Sequence, residues 1–395
     1  MFSRLLAPAL IAAAVGGGTL DAPAPATPTE MAVVSSAGIL RTDAAHTDPG
    51  RLYQFGSVSK TITAAAVEAG DLPLTTPVAE VLPALRDTEL AHRGTTLADL
   101  LEHTSGLPHD ITLTDGDGVE LSDVADQPLG ERSYRYSSLN YVLLQAVLEE
   151  TGPDFATVAP GVVTDGDVPA GSVPFLSWRM PLPARHDPTG LGYGYLAGDI
   201  TTLADFAARQ LAEPSAAWRQ ESMLIDARAG TEVTTYRHNG AVPGYFAHVT
   251  LVPELDRAVV LLTAYYGETE AQRLGAWADN IVRAELGGQV EPLPAPSRLS
   301  LWLMMACLLP VLALALRPRR WVAVFAVLIA VVSLATPYVL GYPLHILWPW
   351  APDIAAAVVL WSALWLLAAG IIGFRWRYRH PGPGPHTTLG PPSRT

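Results

Sequence analysis

Residues 53–68 read YQFGSVSKTITAAAVE. From Ser57 onward the stretch is rich in alanine, carries apolar residues at helical spacing and ends before Gly70, so a helix is predicted to begin close to Ser57. Ser57 and Lys60 then share one helical face three residues apart, where an amine can reach a hydroxyl and serve as its base. Free backbone N–H groups and the positive dipole end at the helix start stabilise an anion forming there. Lys60 is unusual in a second way: of 25 Lys and Arg in the chain it is the single lysine. Such a composition uses arginine wherever a positive charge suffices, so the position that kept an amine is read as one that must lose a proton.

Two other readings of this region fail. A phosphate-binding loop needs glycine before its lysine, and Ser59 stands there. No serine sits in a Gly-x-Ser-x-Gly elbow, which argues against an α/β-hydrolase. His103, His109 and Asp110 lie in one turn-rich stretch without H-E-x-x-H spacing, so no metal site is expected.

Around this helix, Met31–Ile39 reads as a strand followed by a Gly-containing turn, and Tyr141–Glu150 and Thr202–Leu211 read as amphipathic helices. His248–Val252 and Ala258–Thr263 form a hairpin pattern, and Ala271–Leu286 is a last helix before the Pro-rich linker Glu291–Ser297. Residues 153–190, rich in Pro, Gly and Asp, show little periodicity. This order predicts an α+β domain, an antiparallel sheet flanked by helices.

Charge divides the 395 residues unevenly. Residues 27–298 hold 36 acids against 17 basic residues, whereas 299–395 hold seven arginines and one acid, Asp353. An acidic body argues against nucleic acid as a partner. A single cysteine, Cys307, leaves no internal disulfide. Leu299–Leu316, Trp321–Leu340 and Ile354–Phe374 are uncharged apolar stretches of bilayer-spanning length. Arg317, Arg319 and Arg320 fill the first connection and Arg375, Arg377 and Arg379 follow the third stretch. The middle connection has no Lys or Arg but has Tyr342, Trp348 and Trp350. The positive-inside rule makes the arginine loops cytoplasmic and residues 27–297 extracytoplasmic. Met1–Ala26, with Arg4, the apolar run Leu5–Val15 and Ala24-Pro25-Ala26, reads as a signal peptide or an uncleaved anchor. The expected organisation is therefore 1–26 targeting, 27–297 catalytic domain, 298–374 three transmembrane helices and 375–395 a disordered cytoplasmic tail.

With residues 53–68, the blocks LADLLEHTSGLPHD (97–110), YRYSSLNYVLLQAVLEETG (134–152), AGDITTLADFAARQL (197–211) and RHNGAVPGYFAHVTLVPELDRAVVLLT (237–263) resemble, in order, the class C β-lactamase and serine DD-peptidase-related hydrolases. The resemblance implies a β-lactamase/DD-peptidase-like fold with a helical subdomain. It implies Ser57 as acylated nucleophile, Lys60 as activating amine, Tyr136 as proton shuttle and His238-Asn239-Gly240 as the third motif. By the same resemblance the backbone N–H groups of Ser57 and Ala241 form an oxyanion hole, with Ser138 and Gly240 on the substrate side. His103–Leu107 is read as a structural turn without chemistry. Two departures stand out. Ser138 occupies the place of the family's Asn, Asn140 falling elsewhere, and the segment from Gly152 to Ala197 is short, with no Pro-Leu-Gly-Met counterpart.

The resulting expectation is a membrane-anchored extracytoplasmic serine hydrolase acting through an acyl-enzyme, without metal or organic cofactor. Its substrate would be a β-lactam, a D-amino-acid peptide of the cell wall or a small ester; its other partner is the lipid bilayer. The alternative is a ligand-acylated sensor or pseudoenzyme that relays binding through the transmembrane helices. Oligomeric state stays open.

Overall fold

The computed structural model describes residues 26–114, 118–165, 167–226, 230–314 and 319–379. The targeting segment 1–25 and the tail from 380 lie outside the described residues. Two compact units divide between Ser297 and Arg298, except that Pro349–Ala351 group with the first.

In the first unit ten strands are described: β1 Thr29–Ser35, β2 Gly38–Ala45, β3 Tyr53–Gln54, β4 Gly171–Phe175, β5 Trp178–Leu182, β6 Ala197–Gly198, β7 Arg219–Asp226, β8 Thr231–Val242, β9 Tyr245–Val252 and β10 Arg257–Thr263. Six of them build an antiparallel sheet in the order β2-β1-β10-β9-β8-β7. The inner strands are apolar at successive positions because both faces of the sheet are covered. Ala32, Val34, Val249, Leu251, Val260 and Leu262 enter the larger core with the helices Ser59–Glu68, Leu139–Thr151 and Ile200–Gln210. Their neighbours Met31, Val33, Val259 and Leu261 enter a second core on the opposite face. Helix Ala271–Glu285 closes that face with Leu274, Trp277, Ala278, Ile281 and Val282, one stripe at three- and four-residue spacing.

The expected helices and the β9–β10 hairpin are present within a few residues of their predicted bounds. The predicted strand Met31–Ile39 is instead two strands, because the chain turns at Ser36-Ala37 and Gly38, at φ +122°, starts the return. The hairpin β4–β5 lies in the segment that showed no periodicity; Pro174 and Pro181 within its strands hide the alternation.

In the second unit, helices Arg320–Val339 and Pro352–Arg379 are 20 and 28 residues long and apolar enough to cross a membrane. The expected third span is not one helix of that kind. Among the described residues it is a shorter apolar stretch, Leu299–Ala313, interrupted at Cys307. Pro310 lies in its second piece and has no N–H to give the preceding turn, so it works against a continuous ladder. The middle connection contains helix Leu344–Trp350, and the predicted tail begins as helix through Arg379. Phe325 and Val332 stand 57% and 62% exposed on the first long helix.

The site is positioned by a close approach between β8 and the turn before the Ser59 helix. A Cβ built on Gly240 falls 1.8 Å from the Phe55 carbonyl oxygen, and one on Gly56, at φ +54°, falls 2.3 Å from the Ala241 nitrogen. Backbone cannot yield as a side-chain tip would. Gly240→Ala is therefore expected to cost about 1–3 kcal/mol of overpacking. In thermal unfolding of the full chain the midpoint should drop by several degrees; an unchanged midpoint would contradict the packing described.

Candidate active site

Gly56–Val58 forms one tight 3₁₀ turn that runs into helix Ser59–Glu68. Ser57 is thereby half-buried at the helix entrance, and Lys60, one turn on, is fully buried. The Lys60 Nζ lies 3.1 Å from Ser57 Oγ and donates to the Tyr193 carbonyl at 2.7 Å. Since a carbonyl only accepts, one N–H is committed there, and the lone pair of a neutral amine is left to face Ser57. The rings of Tyr136, Tyr141 and Tyr193 surround the amine at 5.1–5.7 Å. Among the described residues no carboxylate forms an ion pair with it. Burial accordingly pulls its pKa down, with Tyr136 opposing in part.

The Tyr136 hydroxyl donates to Ser57 Oγ at 2.8 Å. Tyr136 is brought there by the segment ahead of helix Leu139–Thr151, whose last non-helical residue is Ser138. Ser138 is buried. Asn140 does not replace it: fully buried, its side chain bonds Ser105 and His103.

His238 on β8 completes the rim. Its Nδ1 lies 2.9 Å from the Asn239 carbonyl and must carry the proton, so Nε2 is left as an acceptor. Burial, with Lys60 nearby, pushes its pKa down to about 4 despite that carbonyl. His103, Tyr134, Tyr136, Trp218, Arg237 and His238 line a cleft of about 490 Å³, within the range of small-molecule sites. The close approach of Gly56 and Gly240 brings the backbone of Ser57 beside that of Ala241. The structure thus gathers Ser57, Lys60, Tyr136, His238, Gly240 and Ala241 in one place.

Residues 187–195 form the wall that has no Pro-Leu-Gly-Met counterpart. Leu191–Tyr195 makes a single π-helical turn that presents the Tyr193 carbonyl to Lys60 and the Gly192 carbonyl to Thr63 at 2.8 Å. Gln145 ties the turn down, accepting from the Gly192 N–H at 2.7 Å and donating to the Pro188 carbonyl. Asp187 accepts from the Tyr193 hydroxyl at 2.9 Å. Sequence reasoning missed this wall because it acts through carbonyls, which any residue supplies. Its one sequence signal is the Gly-spaced LGYGY. Among the described residues no three His, Cys, Asp or Glu side chains gather as a metal site would need.

Residues 29–157 match the family model described as Beta-lactamase. Penicillin-binding protein 4 of Amycolatopsis lactamdurans is 38% identical over 112 residues, 25% of this chain and 29% of that protein, so the chain spans under a third of that relative's length. Among solved structures, a class C beta-lactamase from Rhodobacter sphaeroides superposes with a TM-score of 0.50 at 18% identity, over 65% of this chain and 94% of that one. The octameric penicillin-binding protein homologue from Pyrococcus abyssi superposes with a TM-score of 0.51 at 16% identity, over 68% of this chain and 75% of that one. At these identities the two superpositions show a shared fold.

Burial of His103 and His248 favours their neutral forms, so each makes a contribution that weakens the fold in acid. Burial pushes the pKa of His103 and of His248 down to about 3 from an ordinary 6.5. The unfolded chain therefore takes up these protons first, so their contribution to stability is complete above about pH 6.5 and is lost as pH falls toward 3. Glu30, Glu68 and Asp279, raised by burial, act in the opposite sense, so the comparison must be made within one pair of proteins. The difference in thermal midpoint between pH 7.5 and pH 5 should be smaller for His248→Gln than for the unmodified full chain; equal differences would remove His248 as a cause.

Proposed function

We propose that this chain, which carries a domain of the beta-lactamase family, is a serine hydrolase held at a membrane by its C-terminal helices. It works through an acyl-enzyme and prefers small activated esters to β-lactams and D-amino-acid peptides. The carrying observation is the Ser57 hydroxyl held at once by Lys60 and by Tyr136. Ser57 Oγ attacks the carbonyl carbon while its proton passes to the neutral Lys60 amine, and the N–H groups of Ser57 and Ala241 take the oxyanion. Tyr136 hands a proton to the leaving group and then takes one from the water that attacks the acyl-enzyme, while Lys60 returns its proton to the departing Ser57 Oγ. No cofactor is called for. An intact Ser57–Lys60–Tyr136 arrangement favours turnover over the sensor or pseudoenzyme reading.

Preference for esters draws on two residues, His238 in the cleft lining and Ser138 two residues after Tyr136. His238 offers a neutral acceptor where a cation would be needed to bind a carboxylate beside the scissile bond. Ser138 has one short hydroxyl where a carboxamide could grip an acyl-amide from both its ends. An alkoxide also leaves more readily than an amine, so an ester tolerates a looser hold. The full chain in detergent should hydrolyse p-nitrophenyl acetate briskly and a chromogenic cephalosporin slowly. Lys60→Arg should lower acylation by roughly 10²–10⁴-fold, and Ser138→Asn should improve the cephalosporin more than the ester. Rapid cephalosporin turnover without esterase activity, or an arginine variant that acylates at the parental rate, would refute the reading.

For topology we propose three crossings, with the broken Leu299–Ala313 stretch joining the two long helices. The arginine clusters then lie in the cytoplasm and residues 27–297 lie outside. A protease added to intact cells should cut an epitope placed after Ser297 and spare one placed at Arg319; the reverse pattern would invert the orientation.

A further inference from the structure

His103 sits just past the end of helix Leu97–Leu101, at φ +58°. The Thr104 N–H closes onto the Asp99 carbonyl at 2.8 Å, the six-to-one bond of a helix-ending turn. That position ordinarily belongs to glycine, or to asparagine, because a larger side chain is strained there. Capping therefore explains the backbone and leaves the imidazole unexplained. Strain of this kind persists only where the surroundings hold it in place.

The surroundings are Tyr136 and its two neighbours. The Arg135 N–H donates to the His103 carbonyl at 2.9 Å, and the Ser137 N–H donates to His103 Nδ1 at 3.2 Å. The N–H groups of the residues before and after Tyr136 are thus held by one residue. Left-handed backbone at His103 is what lets its carbonyl and its ring serve the same segment. The ring itself packs 4.8 Å from the Tyr136 ring and 5.3 Å from that of Tyr141.

A relay fixes the state of this ring. The Leu107 N–H donates to Ser105 Oγ at 3.1 Å, and that hydroxyl donates to Asn140 Oδ1 at 2.6 Å. With its oxygen so engaged, Asn140 turns its Nδ2 to His103 Nδ1 at 3.1 Å. Nδ1 then faces two donors, the Ser137 N–H and the Asn140 amide, and has to be the bare nitrogen. Ser105, Ser137 and Asn140 are all fully buried, so no water is available to take over either bond.

We infer that His103 is a positioning residue: its carbonyl and unprotonated Nδ1 clamp the backbone on both sides of Tyr136 and so hold the phenol on Ser57. This rests on the proposed role of Tyr136. It goes beyond the reading of His103–Leu107 as a turn without chemistry.

The test uses the full chain in detergent and the ester assay, with His103→Gly and His103→Asn, each alone and in a Tyr136→Phe background. Glycine suits the left-handed turn, so the fold is kept while the Nδ1 acceptor is lost. Asparagine also suits the turn, and its Oδ1 can accept where Nδ1 did. His103→Gly should lower kcat about ten- to hundredfold with KM little changed, the scale of a misplaced catalytic group. His103→Asn should restore kcat to within about threefold. In the Tyr136→Phe background, His103→Gly should cost less than about threefold more. Full activity in His103→Gly, no rescue by asparagine, or an equal loss with and without the Tyr136 hydroxyl would each overturn the clamp. Should His103→Gly lose its cooperative thermal transition, solid-state ¹⁵N spectra of the histidine-labelled unmodified chain decide instead: an unprotonated Nδ1 on His103 at neutral pH supports the clamp and a protonated one overturns it. An unmodified chain that never acylates Ser57 would overturn the hydrolase reading itself, a result separate from those in which the parent is active.

Discussion

Backbone lies directly on backbone where the Gly56 turn meets strand β8, and that contact sets Ser57 against His238 and Ala241. A side chain at either Gly56 or Gly240 would stand inside the neighbouring main chain. With hydrogen alone at both positions, the turn that carries Ser57 is pressed onto the strand that carries His238 and Ala241. Sheet order supplies the rigidity: β8 is held by β9 on one side and β7 on the other, so the strand cannot retreat. Helix Ser59–Glu68 delivers Lys60, and the segment ahead of helix Leu139–Thr151 delivers Tyr136. The cleft is the seam between these two halves.

Elements with strong local periodicity were legible in the sequence. The Ser59 and Ala271 helices and the β9–β10 hairpin follow from apolar spacing and from Pro253 at the turn. Much of β7 and β8 was not. Their solvent-side residues, among them Arg219, Glu221, Glu232 and Arg237, interrupt the apolar pattern, and Arg237 is balanced by Glu221 and Asp279 through tertiary contacts no local window contains. The first of the three apolar stretches departs from its expected single helix for the converse reason. Composition reports that residues 299–316 are apolar, but continuity of a helix depends on backbone hydrogen bonding that composition does not encode.

At the site itself the division is similar. Ser57 and Lys60 declare their relation through spacing on one helix. Tyr136 and His238 enter from distant segments, and only the family pattern joined them to the pair. The Tyr193 carbonyl leaves almost no trace, since what it contributes is an atom every residue has. His103 belongs with these cases. Its motif was plain in the sequence, but its part became visible only when the Arg135 N–H was seen on its carbonyl and the Ser137 N–H on its ring.

The lone lysine can now be weighed against the arginines that fill the rest of the chain. Its pocket is walled by three tyrosine rings and gives the amine one carbonyl and one hydroxyl. A guanidinium brings five N–H donors in a fixed plane and a charge it does not release. In a space without solvent or paired carboxylate, most of those donors would be stranded, each at a desolvation cost of about 1–3 kcal/mol or more. An amine has the smaller demand: as a neutral group it needs little more than the Tyr193 carbonyl, and its lone pair then faces Ser57. Burial, partner count and proton affinity all favour the same side chain at position 60, the one lysine in a chain whose other basic side chains of this kind are arginine.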